Sequence, residues 1–180
     1  MNTFQIGLSA WIIQDGNYDD FSVNQELNFA LEFNAYSLSP ASDETVKLNP
    51  IGPALYSVHG RIEFAHPKTW VADFGLRAYQ ESPLPEDLQS ANWIKGNVYL
   101  GVDPFPYSQW LKDLPGIPSI TYKWRLKNIK LETTPWIKTD RLSFRDRAKT
   151  FFQEIMKTDA WHDDGGHGHY ILECECLGPV

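Results

Sequence analysis

The stretch Leu27-Asn28-Phe29-Ala30-Leu31-Glu32-Phe33-Asn34-Ala35 alternates apolar and polar side chains along most of its length. A period of two puts Leu27, Phe29, Leu31, Phe33 and Ala35 on one face of an extended chain, with Asn28, Glu32 and Asn34 opposite. Such a segment has one face to bury only if it is a strand, and it sets the reading of the whole chain as predominantly β.

The same period recurs on both sides of it. Phe4, Ile6, Leu8 and Ala10 make a weaker strand that leads into Trp11-Ile12-Ile13 and stops at the turn sequence Asp15-Gly16-Asn17. Tyr56, Val58, Gly60, Ile62 and Phe64 alternate with Ser57, His59, Arg61 and Glu63, and Trp70, Ala72, Phe74, Leu76 and Ala78 form a further run. Trp93–Val102 reads as a strand with Ile94, Val98, Leu100 and Val102 on one side, stopped at Asp103-Pro104 because proline cannot donate to a ladder. Ile120, Tyr122, Trp124 and Leu126 alternate with Thr121, Lys123, Arg125 and Lys127, and the phase then changes at Asn128, which predicts a bulge. Tyr170, Leu172, Cys174 and Cys176 form the last strand. Prolines and small polar residues mark 39–53 and 80–91 as loops.

Residues 143–157 change period. Phe144, Ala148, Phe151, Phe152, Ile155 and Met156 fall at helical spacing behind a Ser143/Asp146 capping pattern, which predicts a helix. The alternative is a strand over Phe151–Lys157 in a hairpin with the last strand. The expected architecture is a single mainly-β domain over 1–180, an antiparallel β-sandwich or small barrel of about seven strands with one helix near the C-terminus.

Composition agrees with a folded domain. Of 180 residues, 42% are apolar and 14% aromatic, far from the signature of disorder. A chain of this length buries roughly 70% of its unfolded surface and needs no disulfide or metal to fold. Cys174 and Cys176, two apart on one strand, are poorly placed to bond each other and read as free thiols. The apolar stretch 6–13 is too short to span a bilayer and lacks the marks of a signal peptide, so the expected location is cytoplasmic.

The net charge of −7 argues against a general nucleic-acid binder. Its distribution is uneven. Residues 1–60 hold Lys47 as their only base, whereas 121–149 hold Lys123, Arg125, Lys127, Lys130, Lys138, Arg141, Arg145, Arg147 and Lys149 against Glu132, Asp140 and Asp146.

Three constellations could carry function. His162-Asp163-Asp164-Gly165-Gly166-His167-Gly168-His169 places His162, Asp164, His167 and His169 where imidazole and carboxylate could hold Zn²⁺ or another divalent metal, the one cofactor the sequence suggests. The same octapeptide also reads as a polar hairpin loop, and its spacing matches no established zinc motif. Lys123, Arg125 and Lys127 share one strand face, which could dock an acidic protein partner, track single-stranded nucleic acid, or be a solvated face balanced by acids. Asp19 and Asp20, in an acidic turn, could offer oxygen ligands to Ca²⁺ or an acidic rim to a basic partner.

Nucleophile elbows, phosphate-binding loops and dinucleotide fingerprints are all missing from the sequence. As a class, a small, acidic, aromatic-rich β protein resembles bacterial toxin-neutralising immunity proteins, which implies a protein partner. The leading expectation is therefore a non-catalytic protein-binding module. A metal-binding protein or metal-dependent enzyme built on 162–169, and a single-strand nucleic-acid binder built on 123–127, are the alternatives.

Overall fold

The structure is a computed structural model that describes residues 3–180. The elements are β1 (Thr3–Ser9), α1 (Ala10–Gln14), β2 (Glu26–Pro40), β3 (Lys47–Gly52), β4 (Leu55–His66), β5 (Thr69–Asp73), β6 (Arg77–Gln80), β7 (Trp93–Val102), α2 (Pro106–Gln109), β8 (Thr121–Glu132), β9 (Trp136–Lys138), β10 (Ser143–Arg145), β11 (Phe152–Ile155) and β12 (His169–Pro179). Among the described residues no helix is long and apolar enough to cross a membrane.

Ten strands form one mixed sheet in the order β11-β8-β12-β1-β7-β2-β6-β5-β4-β3, and β9 and β10 pair separately. Two further pairings, β8 with β2 and β7 with β4, bend that sheet back on itself. The strands β8, β12, β1, β7 and β2 thereby close one circuit, and β2, β7, β4, β5 and β6 close a second that shares the β2–β7 ribbon. Closure removes most free strand edges, the usual liability of a β protein. β2 can serve both circuits because it is long and irregular: Glu26–Ala30 pair with β8, Leu31–Pro40 pair with β7, and a register shift at 35–37 bends it.

Most of the alternating residues fill one large core, while Ile120 and Phe64 pack in a second, smaller cluster. Phe21, Phe29 and Trp124 stack with centroids 6.3 and 5.2 Å apart, and Phe33 meets Trp70 and Phe74 edge-on at 4.9 and 5.5 Å. Ala30, on the polar-reading face of β2, is also buried, under Val71, Tyr79, Tyr107, Leu111 and Ile120. Asp103 anchors that second layer: its carboxylate is fully buried and accepts from Tyr79 Oη at 2.6 Å and from the amides of Phe105, Tyr107 and Ser108.

The mainly-β reading holds, and several finer expectations are corrected. Among the described residues twelve strands replace about seven, and the sheet is mixed, because Gly7 bridges Gly101 and Glu32 bridges Tyr79 in parallel. The run 70–78 is a hairpin, β5 and β6, folded at Phe74–Leu76, since a left-handed Gly75 turns the chain without altering which side chains point inward. β3 lies inside the segment read as a loop; its partner β4 supplies the pairing that its prolines conceal. The helix over 143–157 is absent. Phe144, Phe151 and Met156 are exposed, so their helical spacing reflects no buried stripe. Phe152–Ile155 is a strand, but it pairs with β8 and not with β12. The expected bulge near Asn128 is present: Glu173 faces Asn128 and Cys174 faces Leu126, leaving Lys127 unmatched.

Candidate functional site

A cleft of about 550 Å³ opens where β1, β2, β7 and the start of β12 meet, lined by Gly7, Ser9, Trp11, Glu32, Asn34, Tyr36, Tyr99, Arg147 and His169. Its floor is polar and partly buried. His169 Nε2 lies 2.8 Å from Tyr99 Oη, and its Nδ1 lies 3.1 Å from Glu132 Oε2, obliquely enough that the contact is electrostatic and not a directed hydrogen bond. With the imidazole proton on Nδ1, facing Glu132, the Tyr99 hydroxyl donates to Nε2.

Glu132 is 3% exposed and its Oε1 has no hydrogen-bond partner among the described residues; Arg147 stands 3.6 Å from it. Gly7 is what admits Tyr99: a Cβ on Gly7 would lie 1.6 Å from the phenol oxygen. Glu32 sits one strand over, against Gly101.

Burial sets the protonation of this floor. It pushes the Glu32 carboxyl up to about 7, with the charges of Asp103 and Glu81 adding to the effect. Burial also raises the Tyr99 phenol well above the usual range and lowers the His169 imidazole against the opposing pull of Glu132. Near neutral pH the floor therefore offers a neutral phenol and a neutral imidazole, which are hydrogen-bonding groups. Two exposed aromatics, Trp11 and the 73% exposed Tyr36, stand at the rim.

Arg147 belongs to the segment that follows the β9–β10 hairpin. One face of the hairpin carries Trp136, Lys138, Ser143 and Arg145; the other carries Ile137 and Phe144. An isolated two-stranded ribbon is marginal in water, so its anchorage matters. Arg145 supplies it: the guanidinium donates to Thr134 O at 2.8 Å and to Asp164 Oδ2 at 2.6 Å, and covers the Trp136 ring at 4.3 Å. Trp136 Nε1 donates to the same carboxylate. Asp164 reaches both because it adopts a left-handed conformation with Gly165 and Gly166 following suit. The opposite face has no such cover, leaving Leu142 69% and Phe144 47% exposed.

The residues singled out from sequence separate in space. Asp164 holds the hairpin, His169 lies in the cleft, His162 is exposed and pairs with Asp159 at 2.8 Å, and His167 is exposed on the rim of a neighbouring depression beside Trp136. The Asp159 hydrogen bond raises the His162 imidazole above its ordinary value. Among the described residues no group of three or more His, Cys, Asp or Glu is placed to hold a metal ion.

The basic face of β8 is matched by the protein's own acids. Lys123 and Arg125 reach Glu26 at 2.8 and 2.6 Å, and Arg125 and Lys127 each reach Glu175 at 3.3 Å. Glu26 is held down to about 2, chiefly by its hydrogen bonds to Lys123 and Arg125. Asp20 accepts from Thr158 Oγ1 and the Ala160 amide, tying two loops together, and Asp19 is exposed.

Sequence reading missed Tyr99, Glu132 and Glu32. Glu32 carried a signal, as an acid between Leu31 and Phe33, but its partial burial depends on Gly101 of the neighbouring strand, which alternation within β2 does not reveal. The family models hold no match for the chain, and neither curated proteins nor solved structures show significant similarity to it.

Proposed function

We propose that this chain is a non-catalytic protein-binding module whose docking surface is the β9–β10 hairpin, its basic flank and the aromatic-rimmed cleft at its base, and that its partner is an acidic protein. The observation that carries this reading is a coincidence of charge and exposure. The surplus positive charge of 121–149 is balanced on β8 by Glu26, Glu175 and Glu173, whereas Lys138, Arg141 and Lys149 form no ion pair among the described residues. Lys138 and Arg141 lie on the same ribbon as the exposed Ile137, Leu142 and Phe144, and Lys149 on the segment that follows it.

Apolar anchors ringed by charge are what an interface needs: the anchors supply affinity on desolvation, and the charges speed encounter and select the partner. The class-level resemblance to toxin-neutralising immunity proteins points to the same kind of role. A single-strand nucleic-acid reading fits this surface less well. Base stacking needs free ring faces, and Trp136 has one face under Arg145 and its indole N–H on Asp164.

The test is capture from an extract of the native host at low salt, with K138E/R141E/K149E as the comparison. The expected outcome is one acidic protein recovered stoichiometrically by the unmodified chain and about tenfold less by the triple variant, with K123A/K127A unchanged. Recovery that ignores the hairpin charges would remove the proposal.

A further inference from the structure

We infer that the outer face of β2-β7-β4-β3 is a second, independent binding site, built for an oxyanion ester on a polyhydroxylated body, a sugar phosphate being the simplest member. Strand register makes the site. Ser39 pairs with Lys95, Lys95 with His59 and His59 with Lys47, so these four side chains form one row across four strands. Two residues along, Ser37, Asn97, Ser57 and Asn49 form a second row on the same face. The alternate positions, Leu38, Val58 and Leu48, belong to the core or pack against it, so both rows point away from it.

Between the rows lies a concavity of about 470 Å³. That is ample for a monosaccharide-sized ligand and larger than a bare phosphate requires. Gly96 allows this wall to form: a Cβ there would sit 1.8 Å from the Ser37 carbonyl oxygen.

The chemistry of the lining is one-sided. Lys47 and Lys95 flank His59 and form no ion pair among the described residues, in a chain whose net charge is −7. Directly paired positions in adjacent strands are about 5 Å apart, which places the two lysine stems about 10 Å apart, a span their flexible chains can close around one phosphoryl group. Among the described residues no carboxylate lines the concavity. From the 41–46 loop, Asp43 faces His59 Nδ1 at 3.4 Å, where Thr45 Oγ1 also stands at 3.1 Å, and it feels the charge of Lys47 without forming an ion pair with it.

His59 is 6% exposed, with its Nδ1 edge on Asp43 and Thr45 and its ring edge-on to Trp93, so it forms the base of the concavity between the two lysines. The second row carries hydroxyls and amides only, groups that donate and accept at fixed spacing, as a sugar ring requires.

The site shares no lining residue with the cleft or the hairpin, so its failure would leave the proposed function standing. The experiment is an amide NMR titration of the full chain with glucose 6-phosphate, inorganic phosphate, inorganic sulfate and glucose. Glucose 6-phosphate is expected to shift the amides of 37–39, 47–49, 57–59 and 95–97 and to bind about tenfold more tightly than inorganic phosphate. Glucose alone is expected to shift none of them. K47A/K95A, which changes two exposed side chains, is expected to keep the melting curve and lose about tenfold or more in affinity. Equal response to phosphate and sulfate with no gain from the sugar would reduce the site to a plain anion patch and overturn the inference. So would glucose 6-phosphate shifts confined to other residues, or binding that survives K47A/K95A.

Discussion

Glu32 shows how far one side chain can depart from the role its sequence position suggests. It occupies a polar slot of an alternating strand, yet it lies against Gly101 at the base of the cleft, where burial and the charges of Asp103 and Glu81 disfavour its charged form. Its folded pKa of about 7 exceeds the ordinary value of 4.5. Between those values the folded chain keeps a proton that the unfolded chain has lost, so stability falls as pH rises across that window. The drop is on the order of 3 kcal/mol by linkage. Glu32→Gln is expected to flatten it, measured by urea denaturation from pH 5 to 8; equal slopes for both proteins would refute the assignment. Gly7 is the second residue with a sharp expectation. Gly7→Ala has to displace the Tyr99 ring and break its hydrogen bond to His169. A loss of about 2–3 kcal/mol follows, with a change in Tyr99 fluorescence or NMR shift alongside.

Among elements, legibility followed burial. The alternation of 27–33, 94–102 and 120–126 was readable because one face of each strand is buried along most of its length while the other is less buried, with Ala30 and Gly101 as exceptions. The β9–β10 hairpin was unreadable for the opposite reason: with both faces largely solvated, no period is imposed on it, and residues 143–157 mimic a helix by accident of spacing. β3 was hidden by Pro50, which an edge strand tolerates. The site residues divide likewise. His169 and the basic surplus of 121–149 were visible as composition, but which bases stay free depended on Glu26 and Glu175 arriving from distant strands. The hairpin itself hangs on Asp164, which neutralises Arg145 and accepts from Trp136. Asp164→Ala leaves a buried guanidinium unpaired, at about 1–3 kcal/mol, and that loss falls on the hairpin. Trypsin is expected to cut after Lys138 or Arg141 many times faster in this variant while the melting temperature of the sheet moves by a few degrees; cleavage at the unaltered rate would show that other contacts hold the ribbon.

The whole molecule is organised by pairings between distant parts of the chain. Thr3 faces Glu175, Phe29 faces Tyr122, and the central ribbon joins residues 31–40 to 94–102. Proteins dominated by such non-local contacts fold in milliseconds to seconds, and stopped-flow refolding monitored by the buried Trp70 and Trp124 is expected in that range. β12 is the strand between β1 and β8, so removing 169–180 uncovers Leu8, Trp124 and Leu126 together. The truncated chain is expected to lose its cooperative urea transition and to bind hydrophobic dye. During biosynthesis the same topology imposes an order of events. The strand that zips β1 to β8 leaves the ribosome after both of them, so the edges that β12 covers stay bare on the nascent polypeptide until it has emerged.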